Sequence, residues 1–266
     1  MKKSILSLSA LLLLITSRVT AQDTYMTSIE PARQQKLRFG AFLAPTMSWM
    51  RPANSKSNDG QYNVINNGNK LGFTWGLMVD YWFADNYAFS TGLQINGCGG
   101  KIKANKIIDP NAPIPINHSI ASADFNYRLQ YFEIPLNLKM RTAPLTKNIS
   151  FFGQLGVTPG LNIGKKATYT VTSTEVNAAP IKEENVKIVG TLSVAPLTIQ
   201  LNVGAGATYP INDNLLAYVG VFFNNGFAPD ATNPARYNFT YTPTLGSFSD
   251  GNIRLNNVAL RLGLIF

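Results

Sequence analysis

The gaps between the strand-like segments of this chain alternate between long and short. Eight segments with a period-2 alternation of apolar and polar residues follow residue 36, and the gaps between them run long, short, long, short, long, short, long. Short turns at one end and long loops at the other are typical of bacterial outer-membrane barrels. The pattern predicts an all-β, antiparallel, up-and-down transmembrane β-barrel of eight strands, with short periplasmic turns and long extracellular loops.

The second segment shows the alternation most clearly, because every odd position from Leu71 to Phe83 is apolar. Such a period-2 pattern places the apolar side chains on one face of a sheet. The predicted strands are Leu37–Met50, Lys70–Phe83, Tyr87–Lys103, Phe125–Arg141, Ile149–Ile163, Pro196–Tyr209, Leu215–Phe227 and Ile253–Phe266.

The longest gap, residues 164–195, contains two more strand-like pieces, Thr168–Val176 and Val186–Val194. We interpret them as a hairpin that projects into solvent. If they crossed the membrane instead, the barrel would have ten strands.

The fourth predicted strand changes phase. Tyr127, Leu129 and Tyr131 are apolar at odd positions, whereas the apolar residues from Phe132 to Met140 occupy even positions. A slip of one residue turns every following side chain to the other face of a sheet. We therefore predict a β-bulge near residues 131–133, next to Pro135, since proline within sheets is confined to edges and bulges.

The first 21 residues have the features of a secretory signal peptide. Lys2 and Lys3 precede the apolar stretch Ile5–Ile15, and Val19-Thr20-Ala21 is a small-residue cleavage site. The apolar stretch is about half of the roughly 20 residues that a membrane span needs, which argues against a transmembrane anchor. The predicted organisation is a signal peptide over 1–21, a periplasmic tail over 22–36 and a barrel over 37–266.

The composition fits a barrel better than a soluble domain. Charged residues make up 14% of the chain, against about 25% in soluble domains. The formal net charge is +9, but lysine and arginine are scattered, so we do not expect nucleic acid as a partner. The single cysteine, Cys98, excludes an internal disulfide and lies on the inward-facing set.

Aromatic residues crowd the side of the short turns, where amphipathic rings favour the boundary between membrane and water. They are Tyr81, Trp82, Phe83, Tyr87, Phe89, Phe151, Phe152, Tyr209 and Tyr218. A soluble β-sandwich or a lipocalin-like barrel is the alternative, but it would require polar side chains on the outward face. The last residue, Phe266, ends an amphipathic strand and resembles the signal that the outer-membrane assembly machinery reads.

The same alternation assigns several charged side chains to the barrel lumen. A lysine or arginine at the middle of the lipid face would cost about 2–4 kcal/mol, so inward placement is favoured. The candidate lumenal charge network comprises Asp80, Arg128, Glu133, Lys139, Arg141 and Arg261, with Arg38 as a further candidate. Eight strands leave room only for side chains. We expect the network to fill the lumen and fix register, and a proton or ion path is the alternative.

No motif for catalysis, metal binding or cofactor binding is present. The chain lacks Gly-x-Ser-x-Gly, His-Glu-x-x-His and Cys-x-x-Cys. His118 is the only histidine and lies in a proline-rich loop. We expect it to be a solvated loop residue, although an enzyme at the barrel rim would need it as a base. The sequence therefore predicts no enzyme and no cofactor.

Several segments resemble the PorT family of outer-membrane β-barrel proteins, which is associated with type IX secretion and gliding. The most specific is Tyr127–Leu136, which reads Tyr-Arg-Leu-Gln-Tyr-Phe-Glu-Ile-Pro-Leu. The others are Phe39-Gly40, Trp49, Leu71–Leu77, Asp85–Ala88, Thr91–Leu93, Gly99–Lys101, Leu138-Lys139 and Phe152–Gly156. The resemblance covers most of residues 37–163 and, loosely, the last strand.

The resemblance implies a non-enzymatic accessory of an export machine that moves folded cargo to the cell surface, and it brings no catalytic residues. The implied location is the outer membrane of a diderm bacterium, after cleavage near Ala21. Expected partners are outer-membrane lipid, the assembly machinery and other secretion components. A structural, adhesive or ligand-binding barrel that acts through its extracellular loops is the alternative.

Overall fold

A computed structural model describes residues 35–53, 62–107, 120–145, 149–174, 179–187, 194–227, 239–242, 246–248 and 253–266. All regular structure in these ranges is β-strand. The strands are β1 (Leu37–Pro52), β2 (Tyr62–Asn66), β3 (Lys70–Ala84), β4 (Tyr87–Lys106), β5 (Ile120–Glu133), β6 (Leu136–Arg141), β7 (Ser150–Ser173), β8 (Ile181–Lys187), β9 (Leu197–Asn212), β10 (Leu215–Gly226), β11 (Phe239–Thr242), β12 (Gly246–Phe248) and β13 (Ile253–Ile265). The signal peptide and nearly all of the predicted tail lie outside the described residues.

The strands close into an antiparallel ring. Around the ring the order is β1, β3, β4, then β5 and β6 as one interrupted strand, then β7, β9, β10 and β13, which pairs again with β1. The last residue completes the closure, because the backbone N–H of Phe266 donates to the carbonyl of Phe39 at 2.8 Å. The predicted eight-strand, up-and-down barrel is therefore confirmed.

The outer face of the ring is apolar along the part of each strand that is nearest the short turns. Leu71, Phe73, Trp75 and Leu77 of β3 are all exposed, while the residues between them face inward. A soluble sheet would place polar side chains on this face, whereas a closed sheet in lipid requires apolar ones. We call this band of exposed apolar side chains the lipid-facing belt. No helix among the described residues is long and apolar enough to cross a membrane.

Several strands continue beyond the belt on the long-loop side. β7 has 24 residues, whereas a transmembrane strand needs only about 9–11. Its outer half pairs with β5 on one side and with β8 on the other. β2 adds to β4 in the same way. The barrel therefore carries an outer sheet that stands above the membrane.

The predicted bulge in the fourth strand is wrong. Glu133 pairs with Gln94 and Leu136 with Thr91, so β5 and β6 keep one register with β4 across Pro135. The odd residues from Ala123 to Lys139 face inward without interruption. The apolar pattern changes because the interior becomes apolar and the exterior polar above the belt. The register shift lies in β7 instead, where Ile163 is the extra residue opposite Gln130 and Tyr131.

Three other expectations are corrected. The piece predicted as Thr168–Val176 is the outer end of β7 as far as it is described, and its partner is Ile181–Lys187 rather than Val186–Val194. A short strand, Tyr62–Asn66, lies in the predicted loop 51–69 because it extends β4. Among the aromatic residues near the short turns, Trp82, Phe152 and Tyr218 point into the lumen, since they occupy inward positions of their strands.

Candidate functional site in the barrel lumen

The lumen contains an ion pair near the short turns. The Lys139 ammonium lies 2.6 Å from the Asp80 carboxylate, and both side chains are buried. The ammonium also lies 4.7 Å from the ring centre of Phe152 and 5.2 Å from that of Tyr218. Aromatic faces attract a desolvated cation and add to the ion pair. Asp80 and Lys139 thus both lie inside the barrel, on the face to which the alternation assigns them.

Glu133 holds a second polar centre deeper in the barrel. Its carboxylate accepts hydrogen bonds from the side-chain amides of Gln94, at 2.5 Å, and Asn96, at 2.9 Å. Arg261 donates to the other end of Gln94 at 3.2 Å. The Arg261 guanidinium lies between the rings of Phe42 and Phe222, 4.6 and 4.3 Å from their centres. Gln94 thus connects a buried acid to a buried base.

A row of amide side chains crosses four neighbouring strands at one level of the lumen. Gln154 donates to Asn202 at 2.8 Å, Asn202 to Asn224 at 2.6 Å, and Asn224 to Asn257 at 2.7 Å. We call these four residues the amide ladder. The ladder was not predicted from the sequence, because only charged residues were assigned to the lumenal network. The signal was present, since each ladder residue is a large polar side chain at an inward position.

The outer end of the lumen is apolar. Phe125, Tyr127, Leu129 and Tyr131 of β5 point inward and are buried. They pack in one cluster with residues from β2, β4, β7 and β13. A second apolar cluster around Phe152, Tyr218 and Phe222 lies nearer the short turns. The polar centres lie between these clusters and beside the inner one, so side chains fill the lumen along its length.

Inward-facing glycines make room for the rings of the inner cluster. A Cβ on Gly204 would lie 2.1 Å from the ring of Phe222, and one on Gly206 would lie 2.5 Å from the ring of Phe152. Gly220 lies beside both rings. Phe152 and Phe222 themselves stack, with ring centres 6.3 Å apart. These aromatic rings therefore lie against backbone, which a narrow eight-strand barrel requires.

Only some members of the predicted charge network lie in the lumen. Asp80, Glu133, Lys139 and Arg261 are buried in the lumen, and so is Arg38. Arg141 lies half-buried at the inner rim, where its guanidinium stacks 3.8 Å from the ring centre of Trp82.

Arg128 was assigned to the lumen wrongly: it is exposed on the outer face, because its neighbours Tyr127 and Leu129 are the inward residues there. Phe266 lies exposed on the outer face, as predicted, while its role in assembly stays a prediction.

The described residues contain no group of three or more His, Cys, Asp and Glu side chains that could hold a metal ion. Cys98 is buried in the outer apolar cluster and takes part in no disulfide. His118 lies outside the described residues, so its predicted solvated position stays a prediction.

A family model for the outer membrane protein beta-barrel domain matches residues 21–228. The chain belongs to this family. It is therefore an integral protein of the outer membrane. No curated protein matches the sequence.

Solved structures with a similar fold are small outer-membrane barrels. Neisserial surface protein A is 12% identical, with 86% of this chain and 96% of that chain covered and a TM-score of 0.38. Ail from Yersinia pestis, in complex with the heparin analogue sucrose octasulfate, is 11% identical, with 87% and 100% covered and a TM-score of 0.36. OprG from Pseudomonas aeruginosa is 15% identical, with 86% and 94% covered and a TM-score of 0.36. These values are too low to carry over a function.

Proposed function

We propose that this barrel is a non-enzymatic accessory of protein secretion, in a type IX system that exports folded cargo to the cell surface. The observation that carries the proposal is the filled lumen, described above, between the inner cluster around Phe222 and the outer cluster around Tyr127. A filled eight-strand barrel leaves no path for folded cargo. Its contribution to export is therefore made through its surfaces, by contact with a larger pore or with that pore's assembly.

The resemblance of Tyr127–Leu136 to the PorT family supports the same proposal. In this segment the inward residues Tyr127, Tyr131 and Glu133 join the outer apolar cluster to the polar centre. The segment therefore stabilises the barrel. A function in secretion comes with the family resemblance and not with a catalytic group.

A deletion of the gene in its own host tests the proposal, with quantitative proteomics of the medium and the periplasm. We expect proteins that carry the type IX C-terminal signal to leave the medium and accumulate in the periplasm, and the intact gene to restore export. The outer-membrane proteome serves as the control for general envelope damage. An unchanged set of secreted proteins would overturn the proposal.

The second candidate function is adhesion or ligand binding through the extracellular part. The outer sheet favours it, because β7 and β8 form a hairpin that continues past the lipid-facing belt. A variant that lacks residues 174–187 separates the two candidates. Under the secretion proposal, the barrel co-purifies with export components, and comparison with the variant identifies the surface of the barrel that contacts them. Under the adhesion alternative, export is unaffected in the variant and surface binding is lost.

A further inference from the structure

Exposed basic side chains lie on the outer face just above the lipid-facing belt. On β5 the last lipid-facing residue is Phe132, and Arg128 projects outward two positions further from the membrane along the same face. On β1 the outward positions run from Met47 through Trp49 to Arg51. We call the exposed members the basic collar, which comprises Arg51, Lys101, Arg128, Lys166, Lys187 and Arg254.

Members of the collar face each other across neighbouring strands. Arg128 pairs in register with Lys166, and Lys166 pairs with Lys187. On the other side of the barrel, Arg51 pairs with Arg254. Residues directly opposite in an antiparallel pair have Cβ atoms about 5 Å apart, and like charges there destabilise the sheet. The fold therefore brings these positively charged side chains together although they repel one another.

The acids in the described part of the outer sheet are engaged elsewhere. Asp124 forms an ion pair with Lys103, Glu184 pairs with Lys182, and Glu183 accepts a hydrogen bond from Tyr169. Among the described residues, no acid forms an ion pair with a collar member. Within the described part of the chain, the positive charges of the collar are therefore not neutralised by ion pairs.

The pKa of Lys70 shows the effect of the neighbouring positive charges. It lies above Leu71, the outermost lipid-facing residue of β3, and its ammonium donates to Asn126 at 2.8 Å and to the carbonyl of Tyr127 at 2.9 Å. Burial lowers the pKa of Lys70, and the positive charges of Arg128 and Lys101 lower it further. The basic residues of β3, β4 and β5 therefore act on one another.

We propose that the basic collar binds the head-group phosphates of lipids in the outer leaflet of the outer membrane. A cation at the membrane surface attracts an anionic head group, and several cations act together. A phosphate placed between Arg128 and Lys166 accepts hydrogen bonds from both and removes their repulsion. The acyl chains of the same lipid then lie along the lipid-facing belt below.

Native mass spectrometry of the full barrel in neutral detergent tests the proposal, with lipid A that carries two phosphates as the probe. The double variant Arg128→Gln and Lys166→Gln should bind at least tenfold more weakly than the wild type. The matched control, Lys36→Gln and Lys182→Gln, removes the same charge from the inner end of the barrel and from the far part of the hairpin. The control should bind like the wild type.

Two further arms decide the source of the phosphate. Lipid A without phosphates has the same acyl chains and should bind at least tenfold more weakly, and inorganic phosphate at the same concentration should not compete. Equal binding of both lipids, or unchanged binding by the collar variant, would overturn the proposal. Full competition by inorganic phosphate would assign the collar to a soluble anion instead.

A measurement without lipid guards against a folding defect. Because Arg128 and Lys166 repel each other, the collar variant should unfold in neutral detergent at the same urea concentration as the wild type or at a higher one. A lower midpoint would show that the side chains stabilise the sheet by themselves, and that result also contradicts the proposal.

Discussion

Lys139 and Asp80 form a buried ion pair across an intervening strand. Lys139 belongs to β6 and Asp80 to β3, and β4 lies between them, with Ala88 opposite Lys139 and Ser90 opposite Asp80. The pair therefore bridges two strands that share no backbone hydrogen bonds. It fixes the inner end of the barrel where the strands meet the short turns.

We expect Asp80→Ala to destabilise the barrel by about 3–5 kcal/mol, because it leaves the Lys139 ammonium buried without its partner. Urea unfolding in detergent, followed by tryptophan fluorescence, measures the change. The double variant Asp80→Ala and Lys139→Met should recover most of the loss, since it removes both charges. If the double variant is no more stable than the single one, the ion pair is not the source of the effect.

The amide ladder gives a prediction with a control in the next residue. Asn224→Leu should cost about 1–3 kcal/mol for each of the two partners that it leaves unsatisfied, Asn202 and Asn257. Asn225 has the same side chain but faces outward, so Asn225→Leu should leave the unfolding midpoint nearly unchanged. Equal effects of the two substitutions in the same urea titration would contradict the ladder.

The glycines beneath the inner aromatic rings predict sensitivity to a single methyl group. Gly204→Ala should destabilise by about 1–3 kcal/mol, because the new Cβ overlaps the Phe222 ring. Gly153 on the neighbouring strand is the control, since a Cβ there would meet no atom closer than 4.0 Å. Thermal unfolding of both variants in the same detergent distinguishes them, and a tolerated Gly204→Ala would show that Phe222 can move aside.

The filled lumen predicts that the barrel does not conduct ions. In planar bilayers the wild type should show no steady open channel. The combined substitutions Phe222→Ala and Arg261→Ala remove the ring and the guanidinium that stack at 4.3 Å, and should raise the conductance. Stable conductance by the wild type would support the lumenal ion path that the sequence left open.

Chemical labelling of intact cells tests whether the Arg128 side chain lies on the outside of the cell. Arg128→Cys should react with a membrane-impermeant maleimide added outside, because that side chain is exposed above the belt. Cys98 is buried and should stay unlabelled, so the wild type provides the background. As a further control, Asp85→Cys at a short turn should react only after the outer membrane is opened. Labelling of Asp85→Cys on intact cells would reverse the topology.

The sequence predicted the barrel well where one face stays apolar along a whole strand, as in β3. It failed where the environment changes along a strand. At Arg128, period-2 alternation shows which residues share a face but not which face is the interior, because the lumen is polar beside the belt and apolar above it. For the same reason the bulge was predicted near residues 131–133, whereas the structure has it at Ile163 of the neighbouring strand β7. The amide ladder depends on the register between neighbouring strands, which the sequence of a single strand does not show.

The extra residue at Ile163 has a consequence for how this protein can vary. Below it, the even residues of β7 face inward, and above it the odd residues do. The outer part of β7 is thus out of phase with its inner part, and the bulge absorbs the difference. Changes in length above that point need not be transmitted to the lipid-contacting half. The surface-exposed part can diversify under selection while the membrane anchor keeps its alignment.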